Sequence, residues 1–318
     1  ATAAARCSGT TVASTTPPIP SFHDRVDAFL WQAWRGISNA PRPRRKEVQE
    51  CLAFFRAVQR FLGHRVLLVD AAGGHGGLAL AFRAHGRVQR AIVVDIYEPR
   101  SFQSLRAAWT PADVRGDCAA TGVEHPVQHI KADLRDPSWL RELLRREGVS
   151  SADVAVVACH SCSALADKLI GVCLEAQVDF AVMPCCHGED TARGDLLKHT
   201  SRTLNIELPV LSDLMRLGAI DSSPGYTARL RTIDAAITPV NRILIGTRCT
   251  EAEVAKQERR RERGLDKLAR RYQSIPRPEA TGKDSSAVKP DGSEGGLDRP
   301  GSAEGATDFL SFARLPTG

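Results

Sequence analysis

The chain has 318 residues, 25% of them charged and 42% hydrophobic, with a formal net charge of +6. Values of this kind are ordinary for a soluble globular protein able to bury a sizeable core. No apolar run approaches the eighteen or so residues of a membrane span, which excludes a helical membrane protein.

The charge is uneven, and about +5 of it belongs to residues 1–249. That mild basic bias is compatible with an RNA partner but falls short of a nucleic-acid signature. The 9 cysteines lie mostly inside expected strands, helices or one tight cluster, not at the spacings of a disulfide framework. A reducing, intracellular compartment follows, the cytoplasm or an organelle such as a chloroplast or mitochondrion. Residues 1–18 are rich in Ala, Thr and Ser, with Arg6 and no acid. They read equally as the end of a transit peptide or as a disordered N-terminus over residues 1–20.

Residues 21–64 predict two helices. The second, Arg45 to Phe61, places Val48, Cys51, Leu52, Phe55, Val58 and Leu62 at three-four spacing, one apolar stripe facing a core. Before it, Pro41-Arg42-Pro43-Arg44-Arg45-Lys46 is a basic, proline-broken turn, either a solvated helix start or a phosphate-contacting edge. Residues 65–249 alternate strand and helix patterns, with strands expected at Val66–Asp70, Ala91–Ile96, Val127–Ala132, Val154–Cys159 and Phe180–Pro184. Such alternation gives parallel strands linked by helical crossovers. Thr191 to Leu217 reads as a helical insertion. Tyr226–Ile233 and Arg242–Thr247 are too close for a crossover helix between them and should pair antiparallel. The fold class is therefore α/β, a Rossmann-like seven-stranded sheet of five parallel strands and a C-terminal antiparallel hairpin, flanked by helices. Residues 250–273 form a polar helix that projects into solvent or lies on a partner, and 274–318 a disordered tail whose Phe309-Leu310-Ser311-Phe312 could dock back.

The first strand runs into Asp70-Ala71-Ala72-Gly73-Gly74-His75-Gly76-Gly77 and then a helix pattern, and the second ends on Asp95, nineteen residues after Gly76. Glycines let a backbone approach a nucleotide, and an acid on the next strand can accept from ribose hydroxyls. Gly74 to Ala79 also spells the dinucleotide fingerprint G-x-G-x-x-A. Three features oppose that reading: the residues between Asp70 and Gly74, an acid where a diphosphate would be repelled, and the terminal antiparallel pair. S-adenosylmethionine suits all three, because its amino group and sulfonium are cationic.

Asp70-x-Ala72-x-Gly74-x-Gly76 resembles motif I of the class I S-adenosylmethionine-dependent methyltransferases, over roughly residues 46–249. The resemblance implies that Asp70, Ala72, Gly74 and Gly76 hold the methionine part, Asp95 the ribose and Asp133 the adenine. A second resemblance concerns His160-x-Cys162-Ser163…Asp167 followed by Cys185-Cys186-His187. It is similar to a subgroup with His-x-Cys-Gly…Asp and Cys-Cys-His, which includes the eukaryotic tRNA 2′-O-ribose methyltransferase of the acceptor stem. Ser163 stands where that subgroup has glycine, and residues 1–45 hold no counterpart of the tRNA enzyme's zinc-binding region.

Three readings of His160, Cys162, Cys185, Cys186 and His187 stay open. They form a substrate pocket in which a histidine moves a proton, they are small side chains packing a strand end, or they bind zinc. The site is taken as a pocket without metal, with His160 on the acceptor side. His75 reads as a loop-exposed side chain without a chemical role, and Arg242 as a surface ion pair or a phosphate contact. The expected activity is methyl transfer from S-adenosylmethionine, with RNA as acceptor and a small molecule or protein as other candidates. A non-catalytic binding module and an NAD(P)-dependent oxidoreductase remain as alternatives.

Overall fold

A computed structural model describes residues 22–109, 127–162, 164–187 and 194–273. The expectations for residues 1–20 and 274–318, the Phe309–Phe312 patch included, lie outside this set. Seven strands form one sheet: β1 (Arg65–Ala71), β2 (Val88–Asp95), β3 (Val127–Lys131), β4 (Val154–Cys162), β5 (Asp179–Cys186), β6 (Tyr226–Thr232) and β7 (Arg242–Arg248). Their order is β3-β2-β1-β4-β5-β7-β6. The first five in that order are parallel. β7 runs antiparallel to both β5 and β6, so β6 points the same way as the five. This is the sheet the class I resemblance implies, with its hairpin at the C-terminal end.

Helices cover both faces, which is why the central strands are apolar throughout rather than alternating with polar residues. Successive side chains still part company by face. Leu68, Val93, Val157, Ala181 and Ile245 join one core with α1 (Phe22–Gly36), α2 (Arg45–Leu62), α3 (Gly77–His85) and α4 (Arg100–Ala108). Leu67, Val69, Ile92, Val156, Phe180 and Leu244 join the other with α5 (Trp139–Glu147), α6 (Ala164–Glu175) and Ile220. The insertion after β5 contains two helices, α7 (Gly194–Leu204) and α8 (Leu208–Ser222), and so reaches past Leu217. Tyr226 pins β6 to the neighbouring crossover, its hydroxyl donating to Val178 O at 2.9 Å and Cys173 O at 3.2 Å.

β4 and β5 run further than the sequence suggests. Their register shifts between Ala158 and Cys162, where Ser161 faces Pro184 and Cys162 faces Cys186. Pro184 has no N–H for the ladder, and a bulge is where a strand tolerates that. The extension carries His160 and Cys162 out on the strand itself.

The described residues divide into two compact units, one running to Ser222 and resuming over Tyr226–Arg248, the other made of Ser223–Gly225 and the described residues from Cys249. Within the second, α9 (Glu251–Gln273) opens on a capping box. Glu253 N–H donates to Thr250 Oγ1 at 3.4 Å, and Thr250 N–H to Glu253 Oε2 at 2.8 Å. Among the described residues no helix is long and apolar enough to cross a membrane.

Candidate functional site

After β1 the chain steps outward to β2 and β3, then returns to place β4 on β1's other side. In such sheets the crevice at the carboxyl ends of those two central strands is where ligands bind. The glycine loop follows β1 there. Ala72, at φ +53°, and Gly74, at φ +49°, are both left-handed. For alanine that region costs about 1–2 kcal/mol, strain that tends to collect at functional loops. The loop is tied to β2 twice: Ala72 N–H donates to Val94 O at 2.8 Å, and Gly74 N–H to Asp95 Oδ2 at 3.0 Å. Asp95 Oδ1 accepts from Ile96 N–H at 2.7 Å.

Two glycines here are sterically required. A Cβ on Gly73 would lie 2.6 Å from Asp70 Cγ, and one on Gly76 (φ +73°) would lie 2.8 Å from Phe102 Cδ2. At Gly74 an added Cβ meets nothing within 4 Å, so that face of the loop is open.

Asp70 is 1% exposed. Its Oδ2 accepts from Ala79 N–H at 3.1 Å, inside the first turn of α3. Burial, with Cys51 adding to it, pushes its pKa up to about 8 against the opposing pull of the Ala79 hydrogen bond. Asp70 is thus a buried carboxyl whose protonated form the fold favours, not a carboxylate facing solvent.

Beneath the loop, His75 turns inward, with Nε2 4.0 Å from Cys51 Sγ on α2. It is not the exposed side chain expected from the sequence. Gly77 allows the turn, since a Cβ there would meet both His75 Nε2 and Cys51 Sγ. Burial lowers the His75 pKa, but the hydrogen bond and negative charge of the Cys51 sulfur, with Glu47 and Asp70, outweigh it and the net shift is upward. A hydrogen bond with Cys159 lowers Cys51 and raises Cys159, and the two neighbouring histidines make Cys51 the more acidic thiol.

At the end of β4, His160 Nε2 lies 3.1 Å from Oε2 of Glu50, a glutamate of α2 whose side chain is 3% exposed. Lys46 Nζ stands 3.5 Å from the other oxygen. His160 itself is about two-fifths exposed, so the pair joins a buried carboxylate to an imidazole at the surface. Cys159 is buried, whereas Cys162 is exposed and half-buried Cys185 brings its sulfur to 2.8 Å from Cys162 Sγ. Cys186 ends β5 opposite Cys162, its side chain lying outside the described set.

His187 occupies a different setting. Its side chain is 3% exposed, and Nε2 lies 2.8 Å from Asp213 Oδ1 on α8. Asp213 also accepts from Arg242 Nε at 2.7 Å and Arg216 Nη1 at 3.2 Å, and Arg216 Nε donates to Asp167 at 2.6 Å. Burial alone would raise the Asp213 pKa, but His187 and Arg242 together lower it. Arg242 is therefore half-buried and committed to Asp213, not the surface ion pair expected. His187 is thus tied through Asp213 to α8 and, by Arg242, to the start of β7.

Asp133, after β3, is exposed, and both its oxygens accept from Arg135 Nε, at 2.9 and 3.1 Å. That guanidinium holds its carboxyl down at about 2. Among the described residues no three His, Cys, Asp or Glu side chains converge as a metal site.

The structure thus groups Asp70, Ala72, Gly74, Gly76 and Asp95 at one strand end, with His160, Cys162 and Cys185 on the next two strands; Asp133 follows Ala132, whose N–H donates to Asp95 O at 3.0 Å, and His187 follows Cys186 at the end of β5. Sequence reading missed Glu50 and Asp213. Each left a signal: Glu50 lies one helical turn before buried Phe54, and Asp213 shares a stripe with Arg216 and Ile220 at three-four spacing, all buried.

No family profile and no curated protein matches the chain. Among solved structures it is similar to a protein of Corynebacterium glutamicum, at 11% identity over 74% of this chain and 93% of that one, with a TM-score of 0.38. It is similar also to an O-methyltransferase family protein of Burkholderia thailandensis, at 20% identity over 72% of this chain and 60% of that one, TM-score 0.34. A third likeness is to human N-acetylserotonin methyltransferase in complex with S-adenosylmethionine, at 14% identity over 71% and 67% of the two chains, TM-score 0.32.

Proposed function

We propose that the protein is an S-adenosylmethionine-dependent methyltransferase acting on RNA. The observation that carries this reading is the left-handed glycine loop, open in front of Gly74 and tied to Asp95, at the carboxyl end of β1 in a sheet of order β3-β2-β1-β4-β5-β7-β6. The residues suit the cofactor's parts. Asp95 beside the loop can take the ribose hydroxyls. Next to it, Ile96 and Tyr97, 60% and 64% exposed, offer apolar surface for a purine. Asp70 behind the loop gains its charge when a cation approaches. Asp133 can meet the adenine amino group where its bond to Arg135 gives way.

Bound S-adenosylmethionine supplies an electrophilic methyl group on a sulfonium. The protein's part is alignment of the acceptor and, for a hydroxyl acceptor, removal of its proton. His160 is suited to that step. With Nε2–H donating to Glu50, Nδ1 carries the lone pair that accepts a proton, and Glu50 stabilises the imidazolium that results. Cys162 and Cys185 form the wall beside it. RNA is favoured by the subgroup resemblance and the basic bias of residues 1–249.

Calorimetry with S-adenosylmethionine, followed by transfer of a labelled methyl group to total RNA and to protein extract, tests the reading. Saturable binding and label in RNA are expected. Binding without turnover on either pool would indicate a non-catalytic module. Stabilisation by NAD(P)H and none by S-adenosylhomocysteine would indicate an oxidoreductase. Mass spectrometry of modified nucleosides after gene deletion then identifies the acceptor.

A further inference from the structure

Between α1 and the first half of α2 lies a groove of about 530 Å³, walled by Trp31, Trp34, Arg35, Arg45 and Arg56. Leu52, Ala53 and Ile237 give it an apolar floor. Its position is informative. Ile237 sits in the loop between β6 and β7, and because β6 runs parallel to β1–β5, that loop emerges at the same sheet edge as the glycine loop. Gln49 lines the groove, and the adjacent Glu50 meets His160. Consecutive residues of one helix therefore serve the groove and the candidate acceptor site.

The lining combines two chemistries. Trp31 and Trp34, one turn apart on α1, stand edge to face with centroids 5.6 Å apart. Trp34 is fixed by its Nε1–H donating to Pro43 O at 2.8 Å and carries Arg42 over its ring at 4.3 Å. The lone acid of the lining, Asp27, is already paired with Arg56. Arg35 and Arg45 have no acidic partner among the described residues, so the uncompensated charge is positive. Further along α2, Arg60, Arg229 and Arg231 gather over the Phe61 ring at 4.7–5.6 Å, extending the basic face. From Arg45 to Arg60 the helix runs about 22 Å, several nucleotides of extended strand.

We propose that this groove binds an unpaired nucleotide of the RNA substrate, its base stacked on Trp31 and its phosphates on Arg35 and Arg45. The proposal rests on the RNA reading above and names the form of RNA taken. An apolar ligand would have no use for the arginines, and an acidic peptide would leave the indoles idle. A splayed nucleotide uses both, because arginine takes the phosphate charge and every base has a face to stack.

The test is fluorescence anisotropy of the full chain with a labelled single-stranded RNA octamer and with the same sequence as a duplex, across a salt series. Single-stranded RNA should bind more tightly and quench tryptophan emission. Trp31→Ala should weaken binding roughly 10- to 100-fold, with Trp31→Phe restoring most of it. Arg35→Ala with Arg45→Glu should weaken binding at least tenfold and reduce the slope of log K against log salt by about 1.4. A glutamate at the first position of α2 favours the helix dipole, and circular dichroism of the double variant separates lost binding from lost fold. Equal binding of duplex, or folded variants that bind like the wild type, would overturn the groove. An acidic peptide or anionic vesicle that competes as well as the octamer would overturn it too. S-adenosylhomocysteine binding and methyl transfer are followed in the same variants. Transfer that persists with unchanged KM sinks the groove and leaves the methyltransferase; groove-dependent RNA binding without cofactor binding does the reverse.

Discussion

On the β1–β2 flank of the sheet, Asp70 and Asp95 accept from backbone N–H groups within ten residues of Asp70 and at Gly74 and Ile96. On the β4–β5 flank, Asp213 accepts from His187, Arg216 and Arg242, three side chains brought from different elements. In the first arrangement the hydrogen-bond donors are uncharged backbone groups, and among the described residues neither carboxyl has a salt bridge to lysine or arginine. The second neutralises its acid fully and spends it on holding two strand ends and an inserted helix together. Acids of one residue type thus stand in two settings, one bonded to neutral backbone donors and one to charged side chains, and only the second is fully compensated.

The sharpest way to break this contrast is Asp213→Ala, which strands two arginines and a histidine. Removing one partner from such a buried network costs about 3–5 kcal/mol, a drop in Tm of roughly 6–20 °C for a domain of this size. A melt within 2 °C of wild type, taking ~0.5 kcal/mol as negligible, would remove the architectural role. Next in size is Gly76→Ala, where positive φ and the Phe102 ring oppose a Cβ together. We expect a loss of about 1–3 kcal/mol, against about 1 kcal/mol for Gly74→Ala, where the space is open. Equal losses in urea titrations would mean that the loop is not packed against α4.

Asp70→Asn probes the other side through pH. The folded-state pKa near 8 lies above the ordinary 3.8, so folding favours the protonated carboxyl. The stability this contributes is complete below pH 4 and is lost as pH rises through 8, by up to about 1.4 kcal/mol per unit. The asparagine variant should show a flatter fall between pH 5 and 8, and an unchanged slope would contradict the buried proton. Wild-type protein should release that proton on binding S-adenosylmethionine near neutral pH, measurable by calorimetry in buffers of different ionisation heat.

The smallest effect concerns Cys162 and Cys185. Diamide should close them into a disulfide, seen as loss of two titratable thiols, while Cys162→Ser blocks closure and changes stability by about 0.5 kcal/mol or less, since Cys162 is exposed. Closure in the serine variant would point to another pair.

What could be read beforehand follows the same division. The glycine loop is one stretch of chain, and Asp95, though 21 residues from Gly74, is legible because it closes the apolar strand that follows the loop's own helix. The seven strands were legible because their apolar runs and spacing are local, although the bulge that lengthens β4 past Cys159 depends on Pro184 in another strand. Glu50 and His160 are 110 residues apart and Asp213 and His187 are 26. No periodicity joins them, only the fold. His75 was misjudged because loop residues are usually exposed, whereas Gly77, two residues on, leaves room for its ring to fold under against Cys51.

The arginines over Phe61 have one more consequence. Among the described residues β6 is the outermost strand, and Leu230 on it is 36% exposed, the kind of free edge onto which another chain could add a strand. Arg229 and Arg231 flank that leucine. A second β6 laid alongside would bring like charges together at two positions, so the edge resists self-association. The same two side chains thereby guard solubility at the rim of the sheet.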